Sequence, residues 1–291
     1  MSGFSADWLA LREAADHAAR NRRLLELVEA RFADREPVRV LDLACGAGSN
    51  LRGQALHLPP RQSWRLVDHD PQLLDAARAA LIAWADRVEG EAPLTLLKGE
   101  QRIEIALERG DLARFGDALL TPDLDLVTAA ACFDLVSAAW IEDFCAALTE
   151  RRLPLYAVLS YDGSERWSPV HASDAQMLAA FCSHQARDKG FGPAAGPSAA
   201  ALLRAALERR GYVVETAPSP WRLGPSDAAL IRALADGSAE AVAETGLVAA
   251  DAITDWRVSR RSAAACEIGH VDLFASWRDG GAPKRKTFRS S

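Results

Sequence analysis

The chain of 291 residues is poor in several features, and each shortage excludes something. Its five cysteines (Cys45, Cys132, Cys145, Cys182 and Cys266) are odd in number and scattered, and no two form a Cys-x-x-Cys pair. That excludes a disulfide framework and a thiolate metal knuckle, and predicts a reduced, metal-free, cytoplasmic protein. No apolar run approaches the ~18 residues a membrane span needs. No basic segment followed by an apolar core opens the chain, so no secretory leader is expected. Positive charge is in deficit, 34 Lys and Arg against 40 Asp and Glu, for a formal net charge of −6. A nucleic-acid partner, which is held largely by Lys and Arg, is therefore not expected. There is no internal repeat.

What remains is ordinary for a soluble domain, 49% hydrophobic and 25% charged, and long enough for a full core with insertions. The chain is organised around Val38-Arg39-Val40-Leu41-Asp42-Leu43-Ala44-Cys45-Gly46-Ala47-Gly48-Ser49-Asn50-Leu51. Strand-forming residues end in a carboxylate and break into a small-residue loop. Gly46 and Gly48 have no Cβ, so the loop turns tightly and a ligand can approach its backbone. A strand, a glycine turn and a helix over about 49–57 make the usual entrance to a nucleotide site in an open α/β sheet. A dinucleotide fingerprint needs a third glycine at position 51, which is Leu51, and Asp42 would repel a pyrophosphate. Both departures point to a ligand that carries a cation.

Downstream, Trp64–Asp68 reads as a second strand. Asp70 is placed to cap a helix with Pro71 at its first position. Asp68 follows Gly46 by 22 residues, the spacing at which an acid at a strand end reaches ribose hydroxyls. Residues 94–97 suggest a third strand, and the charged stretch 98–110 is ambiguous. Leu124–Ala131 is a continuous apolar run, as in a strand buried on both faces of a parallel sheet. Small residues at its end, Ala129 and Ala130, leave room for a ligand, and Cys132 reads as core. A fifth strand over 153–160 ends in Tyr161-Asp162-Gly163. Ser198 is expected to cap a helix over 199–210, and a sixth strand spans 212–216. Two amphipathic helices within 226–265 precede a last strand near 269–277. The basic tail from Lys284 reads as a solvated end.

The string Leu41 to Gly48 resembles the first motif of the class I S-adenosylmethionine-dependent methyltransferases, Leu-Asp-small-Cys-Gly-x-Gly. The resemblance extends to Val67–Pro71 and Leu124–Ser137 and covers residues 38 to about 160 well. It implies a Rossmann-like, doubly wound α/β sheet of about seven strands, mostly parallel with an antiparallel last strand, plus helical insertions. It implies a helical cover over residues 1–36 and a methyltransferase domain over 37–291, with a lid at about 164–196 and a helical insertion at about 225–265. The cofactor implied is S-adenosyl-L-methionine, held by Asp42, Ala44, Gly46, Gly48, Asn50, Asp68, His69, Asp111, Leu112, Ala129 and Ala130. Asp42 would face its methionine end and Asp68 its ribose. Asp111 would meet the adenine amino group while Leu112 packs on the ring, although Asp111 is as readily a simple loop aspartate. Arg12, Asp16 and Arg20 of the first helix, read as one helix over 5–32, either face the site or, the favoured reading, are solvated.

Residues 164–196 hold the densest polar cluster of the chain. Lying above the carboxyl ends of the strands, they read as a substrate lid, the alternative being a solvated helix end. The acceptor is expected to be a small molecule, with His184, Arg187, Lys189 and Arg222 binding it and acidic groups on it as the complement. His184 and Tyr161 are the expected bases, with His171 in reserve, while His17, His57 and His270 read as surface or structural. The expected reaction is methyl transfer to an oxygen or nitrogen. The alternatives are a non-catalytic module that holds the cofactor or its product, and an NAD-dependent oxidoreductase or epimerase.

Overall fold

The computed structural model describes residues 4–114 and 119–277; the basic tail lies outside them. Two helices open the chain, α1 (Ala6–Ala19) and α2 (Arg22–Phe32), rather than the single helix expected. The break has a local cause. Asn21 leaves the helical region and its side chain accepts the N–H of Leu24 at 3.3 Å, while its own N–H donates to Asp272 at 2.8 Å. Both donors would otherwise be orphans of a helix start.

Among the described residues ten strands form one sheet. The central block is β1 (Val38–Leu43), β2 (Arg61–Asp68), β5 (Gln101–Arg109), β6 (Leu126–Ala130) and β7 (Leu155–Ser168), all parallel in the order β5-β2-β1-β6-β7. β10 (Ala265–Trp277) runs antiparallel between β7 and β8 (Tyr212–Pro218). This is the Rossmann-like sheet expected, with three strands beyond about seven. β3 (Arg87–Glu91) and β4 (Leu94–Lys98) add an antiparallel hairpin at one edge, and the short β9 (Trp221–Leu223) pairs with β10. The ambiguous stretch 98–110 is mostly β5. Its charges alternate outward around buried Ile103 and Ile105, the period-2 pattern of a strand with one covered face.

The chain starts at β1, works outward through β2, and returns to the other side at β6. The crevice above β1 and β6 is therefore the topological switch point, where ligands bind in such sheets. Helices cover both faces. α5 (Ala138–Glu150) and α7 (Ala199–Arg209) bury Phe144, Leu148, Leu203 and Leu207 on one side. α2, α3 (Ser49–Gln54) and α4 (Pro71–Trp84) bury Leu24, Leu51 and Leu81 on the other. Asp70 caps α4, accepting the N–H of Gln72 at 2.8 Å with Pro71 at the first position.

β7 does not end at Ser160. It runs eight residues further, paired with the first half of β10, so residues 161–168 are strand where a loop and the start of a lid were expected. Upon this extension pack α6 (Asp174–Gln185), α8 (Ala228–Ala243) and α9 (Ala250–Arg260), with a core of Trp167, Met177, Trp221, Ile231 and Trp256.

Candidate functional site

The glycine loop closes β1 at the switch point. Cys45 donates its N–H to the carbonyl of Val67 at 3.0 Å and Gly48 donates to Cys45 at 2.9 Å. Gly46 and Gly48 have φ of +53° and +74°, values an L side chain rarely adopts, and Ala44 is held at +49°. The acid that ends β2 clamps this loop: Asp68 Oδ2 accepts the N–H of Gly46 at 2.9 Å and its Oδ1 accepts that of Asp70 at 3.0 Å. His69 is half-exposed, with Nδ1 3.3 Å from the Asp68 carboxylate.

Beneath the loop lies a buried polar network. Asn50 donates to Asp42 Oδ1 at 2.7 Å and to Thr128 at 3.1 Å, and its carbonyl oxygen accepts from Arg20 and Gln54 at 2.9 and 2.8 Å. Asn50 therefore uses both ends of its amide under the loop, where sequence reasoning had placed it against the cofactor. Asp42 is fully buried and its Oδ2 has no partner. Burial pushes its carboxyl up to about 7, against the hydrogen bond from Asn50 and the charge of Arg20. Two nitrogens of Arg20, Nε and Nη1, are likewise buried without partners.

α1 lies across the loop. Leu9 Cδ1 stands 2.9 Å from where a Cβ on Gly46 would be, so any larger residue there would collide. His17 Nε2 contacts the carbonyl of Ser49 at 3.0 Å, and Glu13 pairs with Arg52. Arg20 rests on Gly53, whose missing Cβ would lie 2.8 Å from its Nε. Arg12, Asp16 and Arg20, favoured as solvated, are instead 8%, 7% and 9% exposed. Arg12 pairs with Asp16 at 2.9 Å and lies over the Trp221 ring at 4.8 Å, while Trp221 Nε1 donates to Asp16 at 3.0 Å. An amphipathic reading of α1 had no access to these partners, which come from the far end of the chain.

On the other side of the switch point, β6 ends in Ala129 and Ala130, and Ala131 takes a φ of +50°. Cys132 and Phe133 turn into the core, Phe133 against Trp140 and Phe144. The next residue is Asp134, which sequence reasoning passed over. Its Oδ1 is buried without a partner, and burial raises its carboxyl to about 6 although Arg12 and Lys189 supply positive charge. The only sequence signal was its place, a lone acid closing an apolar run. Residues 191–196 lie along this turn: Gly196 donates to the carbonyl of Asp134 at 3.0 Å, Ala195 to that of Val136 at 2.7 Å, and Phe191 meets Trp140 edge-on. Trp140 Nε1 in turn donates to the carbonyl of Leu112 at 2.7 Å, which places buried Leu112 beside this wall. Asp111 is explained locally, its Oδ1 accepting the N–H of Ala113 at 3.0 Å.

Several residues expected to carry chemistry are engaged elsewhere. His184 and Arg187 both pair with Glu244, at 3.0 and 3.3 Å, and tie the end of α6 to the end of α8. Arg222 is exposed and pairs with Glu267 at 3.3 Å. The Tyr161 hydroxyl donates to Glu165 at 3.0 Å, its ring lies between Phe181 and His270, and burial pushes its acidity far from any base role. His171 pairs with Asp255. Of the proposed lid cations, Lys189 supplies positive charge to Asp134. His270 is buried against Trp221, and burial pushes its ring down to about 3, so it stays neutral.

No family model and no curated protein matches the chain. Among solved structures it is similar to the cyclopropane synthase MmaA2 from Mycobacterium tuberculosis, at 12% identity over 93% of this chain and 94% of that one, with a TM-score of 0.48. It is similar to an S-adenosylmethionine-dependent methyltransferase from Thiobacillus denitrificans in complex with S-adenosyl-L-homocysteine, at 15% identity, 94% and 99% coverage and a TM-score of 0.44. It is also similar to YcgJ from Bacillus subtilis, at 13% identity, 89% and 100% coverage and a TM-score of 0.47.

Proposed function

We propose that the protein is an S-adenosylmethionine-dependent methyltransferase of class I that methylates an oxygen or nitrogen of a small molecule. The observation that carries this reading is the pair of carboxylates flanking the glycine loop, Asp42 with an orphaned oxygen and Asp68 clamped on the N–H of Gly46. A pyrophosphate would be repelled there, and Leu51, fully buried where a dinucleotide site needs its third glycine, leaves no close approach. A ligand with an ammonium, a sulfonium and a ribose fits. Asp42 suits the ammonium and Arg20 the carboxylate of an amino-acid end. Asp68 has two backbone donors on a carboxylate with about four acceptor sites, which leaves capacity for two hydroxyls. His69, Leu112, Ala129 and Ala130 border the same crevice.

When bound, the cofactor supplies an already activated methyl group, so the protein's part is orientation and exclusion of water. α1 roofs the loop and the 189–196 segment roofs the end of β6. Asp134, whose Oδ1 is buried without a hydrogen-bond partner, is the group best suited to hold or deprotonate the acceptor's nucleophile, in place of His184 and Tyr161. A carboxyl raised towards neutrality matches such a task. With Asp134, Arg12 and Lys189 at the crevice, a hydroxyl- or amine-bearing acceptor suits it. The reading is tested by calorimetric titration with S-adenosyl-L-homocysteine, followed by radiolabelled methyl transfer to a panel of small amines, phenols and acids. Asp134→Asn is expected to bind the cofactor product normally while losing at least about 100-fold in transfer rate. Binding of NAD in place of S-adenosyl-L-homocysteine would reverse the reading.

A further inference from the structure

The three-helix lobe contains a cleft of about 550 Å³ that takes no part in the switch-point site. Its walls come from the extension of β7 and from α6, α8 and α9: Glu165, Trp167, Asp174, Met177, Phe181 and Trp256. The volume lies in the range of small-molecule sites, about 300–1,000 Å³. Trp167, Met177 and Trp256 are buried, and the two indoles meet edge-on with centroids 5.6 Å apart.

The two acids of this cleft differ in their compensation. Asp174 accepts from Trp256 Nε1 at 2.7 Å and from the N–H of His171 at 2.8 Å, and the fully buried Arg260 lies 3.7 Å from it. Its charge is answered from within. Glu165 accepts only neutral donors, the Tyr161 hydroxyl at 3.0 Å and Trp167 Nε1 at 3.2 Å. Among the described residues no Lys, Arg or His forms an ion pair with it. The neighbouring Arg166 also lines the cleft, but its guanidinium is engaged by Glu267. Two of about four acceptor sites on the Glu165 carboxylate remain. A partly buried carboxylate without a counter-ion is costly, and burial and the nearby Asp174 both disfavour its charge.

We propose that this cleft is a second ligand site, which binds a small organic ammonium with an aromatic or branched apolar body. The cation pairs with Glu165 and the apolar body lies between Phe181, Met177 and the faces of Trp167 and Trp256, where indoles attract a cation as well as bury carbon. A carboxylate-bearing ligand is rejected by Glu165 and Asp174 together. The site is independent of the methyl-transfer reading, because none of its walls belongs to the glycine loop or to the end of β6.

The test is calorimetric titration of the full chain with 2-phenylethylamine and tryptamine, with 2-phenylethanol as the neutral counterpart. Saturable binding with one amine per chain is expected, with the alcohol at least tenfold weaker. Glu165→Gln is expected to lower amine affinity at least tenfold while leaving S-adenosyl-L-homocysteine binding unchanged, and Asp68→Ala is expected to leave amine binding unchanged. Absence of saturable amine binding, or equal affinity for amine and alcohol in the unaltered protein, overturns the proposal whatever the stability of the variant. An unchanged amine affinity in folded Glu165→Gln overturns it as well.

Discussion

The carboxylate of Asp68 joins two turns at once, accepting the N–H of Gly46 at 2.9 Å and that of Asp70 at 3.0 Å. The end of β2 thereby sets the shape of the loop that ends β1, and the glycine loop and the first turn of α4 are held as one piece. A ligand that meets Asp68 meets a loop already arranged.

Gly46→Ala tests how much that arrangement tolerates. A Cβ at φ +53° is strained and would stand 2.9 Å from Leu9 Cδ1. Leu9 is the end of a flexible side chain, so the fold is expected to survive with a loss of about 1–2 kcal/mol from the backbone conformation. Binding of S-adenosyl-L-homocysteine should fall at least tenfold, because relieving the contact with Leu9 displaces the loop backbone against which the ligand would lie. Thermal denaturation and calorimetry separate the two effects, and undiminished affinity would show that the ligand does not approach Gly46.

Asp42 makes stability depend on pH in a predictable direction. Burial raises its carboxyl from the ordinary value of 3.8 to about 7. The folded state thus holds a proton that the unfolded state has released between these values, and stability associated with this group falls as pH rises from about 4 to 7. Asp42→Asn keeps an oxygen to accept from Asn50 and removes the titration. The variant's melting temperature, relative to the unaltered protein, is expected to climb from pH 5 to pH 8. Whereas the stability contributed by Asp42 falls with pH, affinity for a cationic ligand should rise with pH through 7, and only when Asp42 is present. Parallel pH profiles of the two proteins would contradict this.

Asp272 is a structural counterpart with no role in the site. It is fully buried and accepts from the N–H of Asn21 at 2.8 Å, the N–H of Leu159 at 2.8 Å and the hydroxyl of Ser219 at 2.6 Å. Asp272→Ala leaves three donors without an acceptor, so a loss of about 3–5 kcal/mol is expected in denaturant unfolding. Asp272→Asn, which keeps one strong acceptor, should lose less.

Arg187 and Arg12 offer a contrast. Arg187 is half-exposed and shares Glu244 with His184, so Arg187→Ala is expected to change stability by less than about 0.5 kcal/mol and leave transfer untouched. Arg12 is buried between Asp16 and Trp221. Arg12→Ala strands the Asp16 carboxylate and should cost about 2–4 kcal/mol and weaken acceptor binding. Equal, small effects of both substitutions would remove Arg12 from the site.

These contrasts indicate which parts of the molecule were legible from residue order. Features settled by neighbours in the chain were readable: the glycine loop, the Asp70–Pro71 start of α4, and the buried run of β6. β5 was half-hidden because its outward positions carry charges, although Ile103 and Ile105 keep the period. Arg12 and Asp16 read as solvated because their partner Trp221 lies 205 residues beyond Asp16. The His184 cluster showed the opposite error. Polar density in a segment signals a need for partners, and Glu244 meets that need without any ligand. Asp134, whose importance rests on a missing partner, could be recognised only once its surroundings were in place.

The most direct test of the methyltransferase reading is calorimetric titration of the purified chain with S-adenosylmethionine, repeated with Asp68→Ala and with NAD. Micromolar binding is expected, weakened by about 1–3 kcal/mol, roughly fivefold to 150-fold, in folded Asp68→Ala, with no binding of NAD. Affinity for NAD but not for S-adenosylmethionine would contradict the assignment of the glycine loop and every role derived from it.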